Sequence, residues 1–300
     1  MKTGALPLTH FLLALATVFI WGTNFVVIRV GLDHLPPLLF ATLRFSLVVL
    51  PAIFFIKKPP VPWSKLAGYG VLIGAGQFGL LFIAMRGHIT PGLASLIVQT
   101  QVVFTIGMAM ALTGERVKTY QWFALALAAA GVGIIMMHVG GDGTTPLGVL
   151  LILGAALSWA GGNMVARSAG QVNMLAYVVW SSLFAIPPLF ALSLVTEGWP
   201  AMVTGVRNAD AVTWAAVLWQ SVGNSLFGYS VWGWLLARHP AATISPLALL
   251  VPVFGMGASA FFLHEPLQPW KLGAAALVLG GLALNLAWPT VRARFLTPAA

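Results

Sequence analysis

Uncharged polar side chains and tryptophans recur at helical spacing inside apolar stretches of this chain. Thr17, Trp21 and Asn24 stand four and three residues apart and so share one helix face. Trp159 and Asn163 repeat the Trp–Asn pairing four residues apart in the second half. Gln77 adjoins Phe78, Ser95 and Gln99 form another pair, and Gln101 stands apart from them. Gln220 and Asn224 share a face, with Ser225 and Tyr229 on another. Amides donate and accept hydrogen bonds without net charge, and aromatic faces hold apolar or weakly cationic groups. The expected solute-binding set is therefore Trp21, Asn24, Gln77, Phe78, Gln99, Trp159, Asn163, Gln220, Asn224 and Tyr229. Each has a structural alternative, since amides also bond helix to helix and tryptophans also pack or anchor at the membrane interface.

What is absent narrows the chemistry. The six acidic residues and the six histidines all fall near the ends of apolar stretches. A strongly cationic substrate, or a proton relay, calls for a carboxylate buried in mid-span. The set suits an uncharged or zwitterionic ligand instead. With no cysteine, disulfides and thiolate metal sites are excluded. No His, Asp or Cys cluster has catalytic spacing, so neither an enzyme nor a metal or cofactor is expected. No charge ring or filter loop suggests a channel, and no basic–aromatic patch suggests nucleic acid. Arg44 is the one charge well inside an apolar stretch. It either snorkels to the nearer interface, pairs within the bundle, or faces a ligand carboxylate.

The elements that must position these groups follow from composition. Of 300 residues, 59% are hydrophobic and 7% charged, and the mean hydropathy is +0.94. A soluble domain carries about 25% charged residues. Lipid therefore surrounds most of the chain, and its apolar runs must be helices because backbone groups in lipid pair internally. Ten spans are expected, at Leu8–Ile28, Pro37–Ile56, Leu66–Met85, Pro91–Leu112, Tyr120–Met137, Pro146–Ala166, Met174–Thr196, Ala211–Ala237, Ala241–Leu263 and Leu272–Val291. The first is expected to remain as a span rather than be removed as a signal.

The net charge of +9 is a topology signal. With ten spans, one side holds Lys2, Lys57, Lys58, Lys65, Arg116, Lys118, Arg167, Arg238, Arg292 and Arg294; the other holds Arg29, Arg86, Arg207 and Lys271. The richer side carries both termini, which are therefore expected in the cytoplasm.

The chain also repeats itself. At an offset of 150 residues, Val103/Val253, Phe104/Phe254, Gly107/Gly257, Glu115/Glu265, Ala124/Ala274 and Gly131/Gly281 match, and Phe78/Phe227 and Gly79/Gly228 match at 149. Five spans per half is an odd number, so the second half enters the membrane inverted. The expected fold is all-α, with ten transmembrane helices in two inverted five-helix repeats, residues 1–140 and 141–300, joined by the breaker run Gly140–Pro146. That architecture serves alternating access. Gly74, Gly79, Pro246, Pro252 and Gly257 are candidate hinge or gating residues in spans three and nine, with close packing as the alternative for the glycines. Glu115 and Glu265 follow the fourth span of each half and are expected to contact a neighbouring helix N-terminus, or to gate.

This layout resembles the drug/metabolite transporter superfamily in its ten-helix EamA branch. The resemblance rests on Trp21-Gly22-Thr23-Asn24-Phe25, on Gly114-Glu115-Arg116 and on His264-Glu265-Pro266, and it covers essentially the whole chain. It implies a secondary transporter of the bacterial inner membrane that exports amino acids, metabolites or drugs. The aromatic richness is similar to that of the amino-acid exporters, and a multidrug or cation pump of the same fold is the alternative. The implied partners are a small-molecule substrate and membrane lipid, with a monomer sufficing.

Overall fold

The structure is a computed structural model that describes residues 6–113, 118–140, 143–239 and 241–295. Among them there is helix, turn and loop but no strand. Eight helices are long and apolar enough to cross a membrane. They are α1 (Leu8–Gly31), α2 (Pro37–Phe54), α3 (Trp63–Met85), α4 (Pro91–Leu112), α5 (Thr119–Met137), α6 (Pro146–Ser168), α7 (Met174–Thr196) and α11 (Pro269–Trp288, continuing to Phe295). A short α8 (Trp199–Asn208) precedes α9, a helical run over 211–238, and α10 is a shorter apolar helix, Leu247–Leu263. The protein is thus an all-helical, multi-pass membrane protein.

Local sequence sets the starts of these helices. Pro37, Pro91 and Pro146 occupy first-turn positions, where the missing N–H costs nothing. The side chains of Thr145, Asn173 and Asp210 accept from Gly148 N (3.0 Å), Ala176 N (3.1 Å) and Thr213 N (2.8 Å) and so cap α6, α7 and α9. The bonds from the Thr213 backbone and hydroxyl hold the Asp210 carboxyl below its ordinary range.

Two differences from the sequence reading stand out. The connection 197–210, expected as plain loop, contains α8. Its Gly205 presses on the α1–α2 turn, where a Cβ would lie 2.6 Å from Pro36 Cδ. The second span is regular only over Pro37–Val49 and finishes as a 3-10 turn at Ala52–Phe54, because Pro51 cannot supply the next helical N–H.

Four irregular stretches fall in matching places. α3 widens to π-helix over Val71–Gly79, and α9 does so over Trp219–Phe227, 148 residues later (71 to 219, 79 to 227). α4 tightens to 3-10 at Val98–Thr100, and a 3-10 stretch at Ser245–Leu249 leads into α10.

α5 and α11 cross against each other. A Cβ on Gly131 would meet Ala274 O at 2.9 Å, and one on Gly281 would meet Ala124 O at 2.6 Å. Gly131/Gly281 and Ala124/Ala274 are pairs that match in sequence at an offset of 150, so the two contacts are made by corresponding residues in opposite order. α3 lies on α6 and α7 through small residues. Cβ atoms on Gly74 and Gly76 would fall 2.1 Å from Ala185 Cβ and 1.9 Å from Ser158 Oγ. Gly74 therefore packs helix to helix, Gly79 faces Leu189 and Leu38, and Gly257 borders open space. Pro252 is buried in α10, and Pro246 belongs to the 3-10 stretch.

Candidate functional site

A cavity of about 380 Å³ lies at the centre of the bundle. Nine of the ten expected residues line it: Trp21, Asn24, Gln77, Phe78, Gln99, Trp159, Asn163, Asn224 and Tyr229. They come from α1, α3, α4, α6 and α9. The approach of α1 to α10 sets the depth of Trp21 and Asn24. At Gly22 a Cβ would strike Phe254 Cβ at 2.5 Å and Val251 O at 2.6 Å, so only glycine admits this crossing. Gln77, Phe78 and Asn224 are presented by the two π-helical stretches, whose wider turns leave carbonyls available. The Trp21 indole N–H uses one of them, donating to Asn224 O at 3.2 Å.

The polar groups fall into two kinds. Asn163 Nδ2 donates to Gln101 Oε1 at 2.9 Å, which ties α6 to α4 as it lines the wall. Asn24 Oδ1 and Gln77 Oε1 are buried with no partner among the described residues, which is costly unless something else engages them. The aromatic wall is continuous, with the Trp21 ring 5.7 Å from Tyr229 and 5.2 Å from Trp232. Among the described residues the lining carries no carboxylate.

Gln220 does not line the cavity. It sits one turn before Asn224, fully buried, with neither side-chain amide atom bonded among the described residues; shared helix face says nothing about depth along the axis. Several lining residues lay outside the expected set. Trp232 is three residues beyond Tyr229, and that spacing was a usable signal. Tyr69 and Met174 carried none, because they read as ordinary membrane residues. Ser95 bonds within its own helix, to Gly92 O at 2.7 Å, and packs on Gly255 instead.

Arg44 does not snorkel. It is fully buried, its guanidinium carbon lies 3.9 Å from the Phe78 ring centroid and 4.7 Å from that of Phe45, and Nη2 donates to Ser225 Oγ at 2.7 Å. Glu265 lies at the N-terminal end of a neighbouring helix. It accepts from Gly92 N at 3.0 Å and Thr90 Oγ1 at 2.6 Å at the start of α4, and pairs with Lys271 at 3.3 Å. Glu115 lies outside the described residues. Glu197, which the sequence reading did not single out, does the same for α2, accepting from Leu38 N at 2.7 Å and Leu39 N at 3.1 Å.

A larger crevice of about 710 Å³ opens among α4, α5, α6 and α11 and shares Val102 and Leu282 with the central cavity. Its lining is apolar apart from Gln121 and Asn285, so it offers little to orient a polar solute.

A solute-sized, amide- and aromatic-lined cavity enclosed by membrane helices defines a polytopic carrier-type protein. The chain belongs to the EamA-like transporter family, which matches it over residues 8–137 and again over 146–287. A Salmonella typhimurium protein named "Probable amino-acid metabolite efflux pump" is 40% identical over 91% of this chain and 93% of its own length. An Escherichia coli K12 protein of the same name is 39% identical over the same shares. A solved crystal structure superposes with a TM-score of 0.62 over 96% of this chain and 98% of its own, at 19% identity, a likeness of fold alone.

Proposed function

We propose that this protein exports amino acids, or closely related neutral or zwitterionic metabolites, across the bacterial inner membrane by alternating access. The observation that carries this reading is the central cavity. Its volume of about 380 Å³ falls in the range of small-molecule pockets, and its wall offers amides and aromatic faces without a carboxylate among the described residues. The names of the Salmonella and Escherichia relatives agree. Preloading proteoliposomes with one unlabelled amino acid at a time and measuring counterflow of a labelled neutral amino acid tests it. Accumulation above empty liposomes is expected for a restricted set of preloads; no accumulation with folded protein for any amino acid would move the substrate to another metabolite class.

The chain is read as ten crossings in two inverted repeats, 1–140 and 141–300, with α9 and α10 added to the eight long helices. Support comes from the two consecutive family matches, the 148-residue displacement of the π stretches, and the reciprocal Gly131–Ala274 and Gly281–Ala124 approaches. Both termini are assigned to the cytoplasm on the basic-residue bias, and a single chain carries the whole cavity. The irregular stretches in α3, α4, α9 and α10 are where these helices rock against the rest. Spin labels across α3–α4 and α9–α10 should keep their separation between states while distances from α3 to α1 change. Constant distances throughout would rule the rocking out.

A further inference from the structure

Behind the aromatic wall of the central cavity lies a second, much smaller void of about 10 Å³, lined by Arg44, Ser225, Ser181, Tyr69, Phe78 and Tyr229 among others. The last three of these also line the central cavity, so the two spaces share a wall. The void is about the size of one water molecule or one oxygen atom. Arg44 is completely buried there, yet Nε and Nη1 have no acceptor among the described residues. Nε carries one N–H and Nη1 two, and the guanidinium does not give up its charge. An unpaired cation with free donors, this deep in a membrane bundle, is kept where something engages it during the working cycle.

The protein's own described acids are committed elsewhere. Asp33 pairs with Arg29, Glu197 caps α2, Asp210 caps α9, and Glu265 caps α4 and pairs with Lys271. The Ser181 hydroxyl already donates to Tyr177 O at 2.6 Å. What the void lacks is a negatively charged acceptor with an oxygen small enough to enter.

We propose that Arg44 is the seat of an anion subsite, opening off the central cavity, that takes the carboxylate of the exported solute. The proposal rests on the amino-acid reading above and adds the group by which the zwitterion is recognised. Phe78 is the door. Its ring covers the guanidinium at 3.9 Å on one side and lines the cavity on the other. It stands on the π-helical stretch Val71–Gly79, where loss of the extra residue from the turn would swing it by roughly 100°. Ser225, on the matching π stretch of α9, holds the guanidinium from behind.

The test compares each neutral amino acid with its own carboxamide as stabilising ligands of the purified protein, by thermal shift in detergent. The expected result is that the acid stabilises the wild type at roughly ten- to hundred-fold lower concentration than the amide, the scale of a hydrogen bond to a charged group. Arg44→Gln should erase that preference, and Arg44→Lys should keep part of it. Ser225→Ala, which leaves the charge in place, should weaken it, and serves if the Arg44 variants do not fold. Equal affinity of acid and amide in the wild type would overturn the subsite while leaving amino-acid export standing. Failure of both ligands across the panel would overturn the amino-acid reading and the subsite with it. A second arm replaces chloride with methanesulfonate, an anion that carries no carboxylate. An Arg44-dependent stabilisation by chloride alone, with no preference for acid over amide, would make this an inorganic-halide site and overturn the carboxylate assignment.

Discussion

Glu265→Ala is expected to be the most destabilising single substitution among the helix-end residues, costing roughly 3–5 kcal/mol, the range for removing one partner of a buried charged pair. The Glu265 side chain is 7% exposed and does three things at once: it accepts the Gly92 N–H, accepts the Thr90 hydroxyl, and meets the Lys271 ammonium. Alanine leaves the first turn of α4 without its cap and removes the carboxylate from beside a fully buried lysine. Glu265→Gln keeps an acceptor oxygen and should lose clearly less. Because the pair is buried, added salt should change the difference little. Thermal unfolding of both variants in detergent, at low and high salt, checks this. An alanine variant as stable as the wild type would mean that the α4 terminus is satisfied some other way. Gly92→Ala should act in the same direction, because its Cβ would sit 2.9 Å from Glu265 Oε2.

Gly228→Ala is expected to cut counterflow by at least about ten-fold while leaving the protein folded. The new Cβ would lie 2.4 Å from Trp21 Nε1, far inside contact distance. α9 is held by its packing on α1 and α2, so the indole must give way, and the open side available to it is the cavity. The bond to Asn224 O is lost in the same movement. Relieving that contact moves the ring by about 1 Å, and misplacing a binding group by about 1 Å already costs roughly a hundred-fold where geometry is critical. The smaller ring of Trp21→Phe, placed in the Gly228→Ala background, should recover part of the rate. Full activity of Gly228→Ala, or no recovery in the double variant with the fold intact, would show that Trp21 does not shape the transport pathway. Rates are read in proteoliposomes matched for protein content.

The helical spans were legible because lipid imposes one rule on every backbone group, and charges, prolines and glycines then mark the ends. Met174–Thr196 was read to the residue; Leu8–Gly31 and Pro269–Phe295 run beyond the apolar core because their ends are amphipathic and sequence hydropathy stops counting there. α8 was missed since ten residues with one buried side look like loop when the chain is scanned for twenty apolar ones. The cavity wall was legible to the extent that a polar residue in lipid must face inward; the five amides Asn24, Gln77, Gln99, Asn163 and Asn224 followed from that rule, and Trp21, Phe78, Trp159 and Tyr229 from standing beside such residues or at helical spacing from them. The rule gives facing and not depth, hence Gln220. It is silent about apolar and tyrosine lining, hence Tyr69 and Met174. Arg44 was visible as an anomaly, but whether it reached out or in depended on Ser225 and Phe78, which are distant in sequence. The π-helical stretches left no sequence signal beyond clustered glycines, since an inserted residue in a turn is decided by what the helix packs against.

The reciprocal fit of α5 and α11 carries a consequence for how this chain can vary. Gly131 rests on Ala274, and Gly281 rests on Ala124. Under the repeat reading these are one patch touching its own copy. A patch that recognises itself is what joins two identical subunits about a two-fold axis, so half of this protein has the surface to have once paired with a second, oppositely inserted half. Under the same reading, two halves held in one chain have less freedom to diverge at this seam than where each half packs on its own. Any enlargement on one side meets a partner that can no longer change with it in a single mutational step, and the seam should be the slowest part of the molecule to drift.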